Sequence, residues 1–189
     1  MDPYRVILAA GLLGHKVVWE VLRPRAAEQR ASALARSLTV VFIKAVKLCV
    51  LGFLVIQTLF LEIMPITNDP SSLRVIGMGL FGAGLGIAVL GRIQLGDNWV
   101  DLEEYQVVPG QALVTKGLYE YIRHPIYAGD ILLLVGLQLA LNSWLVLAAI
   151  IPAIVAFRNV QAEERILIRA FPEYAEYCRR TRRFVPFVF

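Results

Sequence analysis

The chain of 189 residues is 58% hydrophobic, with a mean hydropathy of +0.63 and a net charge of +4. Soluble domains are about 45–50% apolar, so this composition excludes an ordinary soluble domain and indicates one integral membrane domain over residues 1–189. The two histidines and two cysteines are widely spaced, so neither a metal site nor a disulfide framework is expected. Basic clusters between apolar runs are typical of cytoplasmic loops, and nucleic-acid binding is not expected.

The N-terminal part, residues 1–95, predicts three membrane spans. The first runs from Tyr4 to Leu22; it carries charges near both ends, so an interfacial helix is the alternative. The second runs from Leu38 to Met64 and the third from Leu73 to Leu95. The first loop is basic and should face the cytoplasm, whereas the second lacks basic residues and should face outside. No small-residue cleavage site follows the first apolar run, so a cleavable signal peptide is not expected.

The third span contains a literal G-x-G-x-x-G string at Gly77, Gly79 and Gly82. A dinucleotide-binding loop requires a strand before this string, and none is predicted here. The glycines also continue along the same apolar helix. We therefore interpret them as helix-packing residues, with Gly82 and Gly86 as a G-x-x-x-G pair that lets a second helix approach closely.

The C-terminal part, residues 96–189, begins with a long polar segment from Gly96 to His124. Two apolar runs follow, Ile126–Leu141 and Trp144–Phe157, and then a polar helix from Arg158 to about Phe171. The aromatic tail is expected to fold back under the helices. The predicted fold class is therefore an all-α integral membrane protein with about five transmembrane helices, with every basic cluster and the C-terminus cytoplasmic and the N-terminus outside.

The polar segment ends in LVTKGLYEYIRHPIY, from Leu113 to Tyr127. Proline suits a first helical turn, so Pro125 predicts a helix start at the membrane border. Arg123, His124 and several tyrosines crowd around this start, where free N–H groups and the helix dipole favour an anion. The alternative is an ordinary membrane interface, where basic and aromatic residues are common.

The string from Gly117 to Tyr127 fits G-[LV]-Y-x-x-x-R-H-P-x-Y, and an apolar hairpin and Glu163-Glu164 follow it. With the later Phe171, Tyr174 and Tyr177, this combination resembles the isoprenylcysteine carboxyl methyltransferase family. Membrane methyltransferases that act on phospholipid amines share parts of it. The resemblance covers about the C-terminal half, from Gly96 to Pro186. It implies transfer of a methyl group from S-adenosylmethionine to a lipophilic or membrane-associated acceptor, with a cytoplasmic cofactor pocket.

The resemblance also implies roles for single residues. Glu163 matches the cofactor-binding glutamate of the family, and Glu104 matches a further cofactor contact. Glu164, in contrast, is expected on a solvated helix face, paired with Arg165 or Arg169. The other implied cofactor contacts are the backbone of Gln111, Ala112, Leu113 and Val114, the side chain of Tyr119, and the turn formed by His124, Pro125, Ile126 and Tyr127.

One position departs from the family pattern. Carboxyl-methylating members carry an arginine one helical turn before the matched glutamate, where this chain has Asn159, with Arg158 beside it. Both are candidate substrate-binding residues. The departure disfavours a prenylated-cysteine carboxylate and leaves an amine, a thiol or another lipid as acceptor. No catalytic residue is expected beyond those that position the reactants, because an anionic acceptor needs no base.

Two other classes of function stay open at this stage. A membrane reductase with a nicotinamide cofactor would share a similar C-terminal half, although the only glycine fingerprint lies inside a span. A small carrier or scaffold would use Lys44, Lys47 and His15 along a path. The identity of the acceptor is open as well. The oligomeric state is also open, since the G-x-x-x-G face of Gly82 and Gly86 is compatible with packing inside one chain or between two.

Overall fold

The structure is a computed structural model that describes residues 2–23, 38–98 and 111–186. These ranges form α-helices and short 3-10 turns, with no strand among them. The 3-10 turns lie at Gly96–Asn98, Gly117–Glu120 and Trp144–Ala149. The helices are α1 (Pro3–Val21), α2 (Leu38–Phe60), α3 (Ser71–Leu95), α4 (Pro125–Ala140), α5 (Ile150–Ala170) and α6 (Tyr174–Arg180).

Each of the five predicted spans coincides with a helix, and the all-α prediction is confirmed. The second span ends at Phe60 rather than Met64, and Met64 itself has a positive φ of 50°, which lies outside a right-handed helix. The residues after Phe60 instead bind the hairpin turn between α4 and α5. The Ser143 hydroxyl donates to the Ile63 carbonyl at 2.7 Å, and the Trp144 N–H donates to the Met64 carbonyl at 2.9 Å.

Three helical segments of the described chain are long and apolar enough to cross a bilayer: Val41–Phe60, Ser71–Asn98 and Trp144–Ala170. The shorter α4 is also apolar. α1 is not among the three, but it exposes large apolar side chains such as Leu13, Val17 and Val21. The chain is therefore a multi-pass membrane protein whose outward-facing apolar surface suits lipid.

Close contact between α3 and α4 depends on two glycines in each helix, Gly77 and Gly84 in α3 and Gly129 and Gly136 in α4. A Cβ atom at Gly84 would lie 2.3 Å from the Leu133 backbone nitrogen, and one at Gly136 would lie 2.2 Å from that of Phe81. Gly77 and Gly129 are equally confined by backbone atoms of the facing helix. The two glycines within each helix are two helical turns apart, so all four lie on the facing sides of these helices.

Within this chain, the predicted contact pair Gly82 and Gly86 makes no close helix contact, and packing of this face between two chains stays a prediction. A Cβ atom at either position would meet nothing within 4 Å. These two residues lie on another face of α3, towards α1, where they line a groove. The G-x-G-x-x-G string itself lies inside α3, as expected for a packing motif rather than a nucleotide loop.

Polar side chains inside this apolar bundle are paired across helices. Gln57 of α2 and Gln138 of α4 are both buried and exchange two amide hydrogen bonds of 2.9 and 3.0 Å. The buried guanidinium of Arg5 donates to the Thr58 carbonyl at 3.0 Å and to the Glu62 carboxylate at 3.2 Å. These pairings satisfy groups that would otherwise be unfavourable in an apolar environment.

The tail folds back onto the bundle, as predicted. Tyr174 and Tyr177 of α6 are buried, and the Tyr177 hydroxyl donates to the Tyr119 carbonyl at 2.6 Å. Further along, the Phe184 ring lies 6.2 Å from the ring of His124 and 6.5 Å from that of Phe157. The tail therefore covers the start of α4.

Candidate cofactor site

The end of α3 anchors the segment that precedes α4. Tyr119 is buried, and its hydroxyl donates to the Gly91 carbonyl at 3.2 Å. The Leu118 N–H donates to the Gln94 side chain at 2.8 Å. Burial raises the pKa of the Tyr119 hydroxyl well above its usual range, so this group stays a protonated donor. Tyr119 therefore positions the segment through α3.

Helix α4 begins at Pro125, as the sequence predicts, with His124 as the residue before it. Pro125 is fully buried, and both Pro125 and Ile126 pack against Gly91 of α3. The N–H of Ile126, in the first turn, has no acceptor within the helix. The positive end of the helix dipole is thus held at a fixed place beside the end of α3.

The His124 ring lies between α4 and two carboxylates of α5. It is 5% exposed, with Nδ1 3.8 Å from Glu163 Oε2 and Nε2 3.4 Å from Glu164 Oε1. The Nδ1–Glu163 distance is beyond hydrogen-bond range, and Nε2 faces the Glu164 carboxylate in a long, poorly aligned contact. The Tyr127 ring lies 5.9 Å from that of His124. A buried ring nitrogen without a direct bond is suited to a bound polar group.

The structure contradicts the expectation for Glu164. Its side chain is 7% exposed and accepts hydrogen bonds from Arg123 Nε at 2.8 Å and Arg183 Nε at 3.0 Å. The predicted partners, Arg165 and Arg169, lie on the same helix but not on its buried face. That face comprises Ala156, Val160 and Glu164, which are spaced four residues apart. The small apolar residues at these spacings were the signal in the sequence that could have placed Glu164 inside.

Arg123 also clamps the tail beside the helix start. Its guanidinium donates to the Thr181 carbonyl at 2.6 Å, and its backbone N–H donates to the Arg182 carbonyl at 2.7 Å. The His124 N–H donates to the Arg183 carbonyl at 3.0 Å. The tail is therefore tied to the segment that carries His124 by both backbone and side-chain bonds.

Glu163 differs from its neighbour in exposure. Its side chain is 40% exposed, and it lies 3.8 Å from His124, its ion-pair partner in the described part of the chain. Asn159 lies four residues earlier on the same face of α5 and is half-buried, whereas Arg158 is exposed. The structure thus brings His124 and Glu163 together, with Asn159 next along the helix.

The residues from 111 to 114 lie at the same end of α3. The Ala112 N–H donates to the Asn98 side chain at 2.7 Å, and the Gln111 amide donates to the Asn98 carbonyl at 3.0 Å. Leu113 and Val114 are half-buried, and Ala112 is exposed. The anchoring role of Asn98 was missed from the sequence, where it appeared only as the start of a polar segment. Glu104 lies outside the described residues.

The arrangement brings two kinds of polar group close to His124. The helix start at Pro125 provides N–H donors and a positive dipole, and Glu163 provides a partly exposed carboxylate. This pair of charges is complementary to an amino-acid group, which carries a carboxylate and an ammonium. In residues 2–23, 38–98 and 111–186, no group of three or more His, Cys, Asp or Glu side chains is placed to hold a metal ion.

A family model described as phospholipid methyltransferase matches residues 73–174, more than half of the chain. The chain is 36% identical over 108 residues to the cobalt-zinc-cadmium resistance protein CzcN of Cupriavidus metallidurans, covering 54% of this chain and 46% of that protein. It is 32% identical over 117 residues to protein-S-isoprenylcysteine O-methyltransferase B of Arabidopsis thaliana, covering 56% of this chain and 58% of that protein. The chain thus spans about half the length of the curated relatives it matches.

A solved structure supports the same fold. The eukaryotic intramembrane Ras methyltransferase ICMT superposes with a TM-score of 0.65 at 20% identity, covering 100% of this chain and 69% of that chain. Together with the family match, this confirms the resemblance noted in the sequence. All of the described candidate cofactor residues, from Gln111 to Glu163, lie within the matched range.

Proposed function

Because the chain belongs to the phospholipid methyltransferase family, we propose that it transfers a methyl group from S-adenosylmethionine to a lipophilic acceptor in the membrane. The observation that carries the proposal is the meeting of His124 with Glu163 at the start of α4. These two side chains are 39 positions apart in sequence, and both belong to the range that the family model matches.

The residues at this site fit S-adenosylmethionine. The N–H groups at the start of α4 would bind its carboxylate, and Glu163 would accept hydrogen bonds from its ammonium group. His124 Nδ1 lies 3.8 Å from Glu163, beside these groups, while Nε2 faces the buried Glu164. When bound, this cofactor supplies an electrophilic methyl group on a sulfonium.

The remaining residues position and enclose the site. Glu164 holds Arg123 and Arg183, and through them it fixes both the His124 segment and the tail. The covering tail would exclude water from the reacting centre, which favours attack by the acceptor over side reactions. Catalysis by this chain then consists mainly of alignment of donor and acceptor.

We further propose that the site and the C-terminus face the cytoplasm and that the acceptor enters from the bilayer. The basic tail supports this orientation, since basic residues concentrate on the cytoplasmic side. Relatives named isoprenylcysteine O-methyltransferases support a lipid-modified acceptor. Asn159, in place of an arginine, favours an acceptor other than a carboxylate.

The proposal is tested by calorimetric titration of the purified protein with S-adenosylmethionine and S-adenosylhomocysteine. Saturable binding that His124→Ala or Glu163→Gln weakens at least tenfold would support it, since each change removes a group worth about 1.5–3 kcal/mol towards a charged ligand. Glu173→Gln, at the exposed position just before α6, is the control and should bind like the wild type.

Two outcomes would oppose the proposal. Equal binding in wild type and in both site variants would place the cofactor elsewhere. Binding of reduced nicotinamide nucleotides, with no binding of S-adenosylmethionine, would favour the membrane reductase instead.

A further inference from the structure

A histidine and an aspartate that the proposed cofactor site does not use meet between α1 and α4. His15 Nε2 lies 2.9 Å from Asp130 Oδ1, and the two residues are 115 positions apart in sequence. Their side chains are 23% and 39% exposed. Placing polar side chains within apolar membrane helices costs free energy. Such residues commonly mark a path or a site for a polar ligand.

His15 also lines a groove between α1 and α3. The groove has a volume of about 480 Å³, within the range of small-molecule sites, and its walls are mainly apolar. It runs along α1 from Ala10 to Val18 and along α3 from Gly82 to Val89. His15 is the only ionisable residue among those that line it.

Glycines keep this groove open. A Cβ atom at Gly14, Gly82 or Gly86 would meet nothing within 4 Å, so packing between helices does not require glycine at these three positions. The contrast with Gly84, on the same helix, is direct, because there a Cβ atom would collide with the backbone of α4. Gly14, Gly82 and Gly86 therefore leave space in the groove, whereas Gly11, which also lines it, is in close contact with the Phe81 ring.

Along the helix axes, the groove ends near the level of the proposed cofactor site. Val89 lines its end, and Gly91, against which Pro125 and Ile126 pack, lies about 3 Å further along the axis of α3. On α4, Asp130 lies about 7.5 Å along the axis from Pro125. A chain-like molecule in the groove can therefore place its head group near His15, which contacts Asp130, at a depth about 7.5 Å along α4 from Pro125.

We propose that this groove binds the hydrocarbon chain of the methyl acceptor, and that His15 and Asp130 bind its head group. The inference rests on the proposed function. When the neutral imidazole donates from Nε2 to Asp130, its Nδ1 becomes a hydrogen-bond acceptor. The head group must then be a hydrogen-bond donor, a hydroxyl or an amine.

Charge complementarity excludes a carboxylate from this place. A carboxylate has no hydrogen to donate to Nδ1, and it would lie close to the negative charge of Asp130 in an environment that screens charge poorly. A hydroxyl is compatible with the pair, and an ammonium would in addition neutralise Asp130. The absence of an arginine at position 159 points to the same class of acceptor.

Trp19 provides a local probe, since its ring stacks on that of His15 at a centroid distance of 4.0 Å. With Trp99→Phe and Trp144→Phe, Trp19 is the only tryptophan left. We would titrate this protein, in phosphatidylcholine nanodiscs without S-adenosylmethionine, with para-nonylphenol and with chain-matched para-nonylbenzoate. We expect a saturable change in Trp19 fluorescence with the phenol, and binding of the benzoate at least fivefold weaker, as loss of about one hydrogen bond implies.

Variants connect the signal to the groove. Gly86→Leu and Gly82→Leu should each weaken phenol binding about tenfold or more by filling the space. Gly79→Leu, also on α3 with open space around its Cβ but outside the groove, is the matched control and should have no effect. Asp130→Asn removes the negative charge and should reduce the preference for phenol over benzoate.

A non-saturable phenol signal, equal binding of the benzoate, or wild-type affinity in both leucine variants of the groove would overturn the inference. The groove proposal and the proposed function are tested independently, so that either can fail without the other. The groove is tested without cofactor, and the titration with S-adenosylmethionine should give wild-type affinity in Gly86→Leu. If S-adenosylmethionine does not bind the wild type while the groove signal persists, the proposed function fails and the groove remains a lipid site.

Discussion

Replacement of Glu164 by alanine should release the C-terminal tail. The Glu164 carboxylate is 7% exposed and accepts hydrogen bonds from two guanidiniums, those of Arg123 and Arg183. Removing one partner of such a buried group destabilises by about 3–5 kcal/mol, because the remaining charges are left uncompensated. If most of this loss falls on tail docking, the undocked population should rise about 100-fold or more.

Cys178 reports on this release. It lies in α6, next to the segment that Arg123 binds, and burial raises the pKa of its thiol, which slows alkylation of the docked form. In a Cys49→Ala background, Glu164→Ala should increase the rate of Cys178 alkylation by at least tenfold. Glu163→Ala is the matched control, because Glu163 is more exposed and contacts neither arginine.

The two glutamate variants should therefore give different results. Glu163→Ala should lose S-adenosylmethionine binding and keep slow alkylation, whereas Glu164→Ala should show fast alkylation. Wild-type alkylation rates in Glu164→Ala would refute the reasoning that this carboxylate holds the tail in place.

Three further outcomes follow from the packing. Gly136→Ala should destabilise the bundle by about 1–3 kcal/mol through overlap with α3, whereas Gly82→Ala should be neutral; thermal unfolding in detergent measures both. Gln57→Leu should destabilise by about 1–3 kcal/mol because it leaves the buried Gln138 amide without its partner, and the double leucine variant should recover most of that loss in the same assay. Tyr119→Phe, which removes the hydrogen bond to Gly91, should weaken S-adenosylmethionine binding less than tenfold in calorimetric titration.

Hydropathy predicted the helices well because each span is determined by local composition. The helix start at Pro125 was also predictable from local sequence, since proline fixes its own backbone conformation there. Which glycines contact a neighbouring helix was not predictable in the same way. Gly82 and Gly84 are two positions apart and similar in sequence context, yet only Gly84 meets another backbone.

Long-range partners account for the parts of the site that the sequence did not reveal. Glu164 binds Arg123 and Arg183, which are 41 and 19 positions away, so helix-local pairing rules proposed the wrong arginines. His15 and Asp130 are further apart still, and nothing in the sequence links them. Glu163 lies 3.8 Å from His124, and only the family resemblance had assigned these two residues to one site.

The most direct test of the central claim is transfer of a tritiated methyl group from S-adenosylmethionine. Membranes containing the wild-type chain, membranes with His124→Ala and membranes with Glu173→Gln would be incubated with the cofactor, and organic-extractable label counted. We expect incorporation into a lipophilic product with the wild type and the control, and at least a tenfold reduction with His124→Ala. Saturable cofactor binding without any label in lipid extracts, or label unaffected by His124→Ala, would contradict the account.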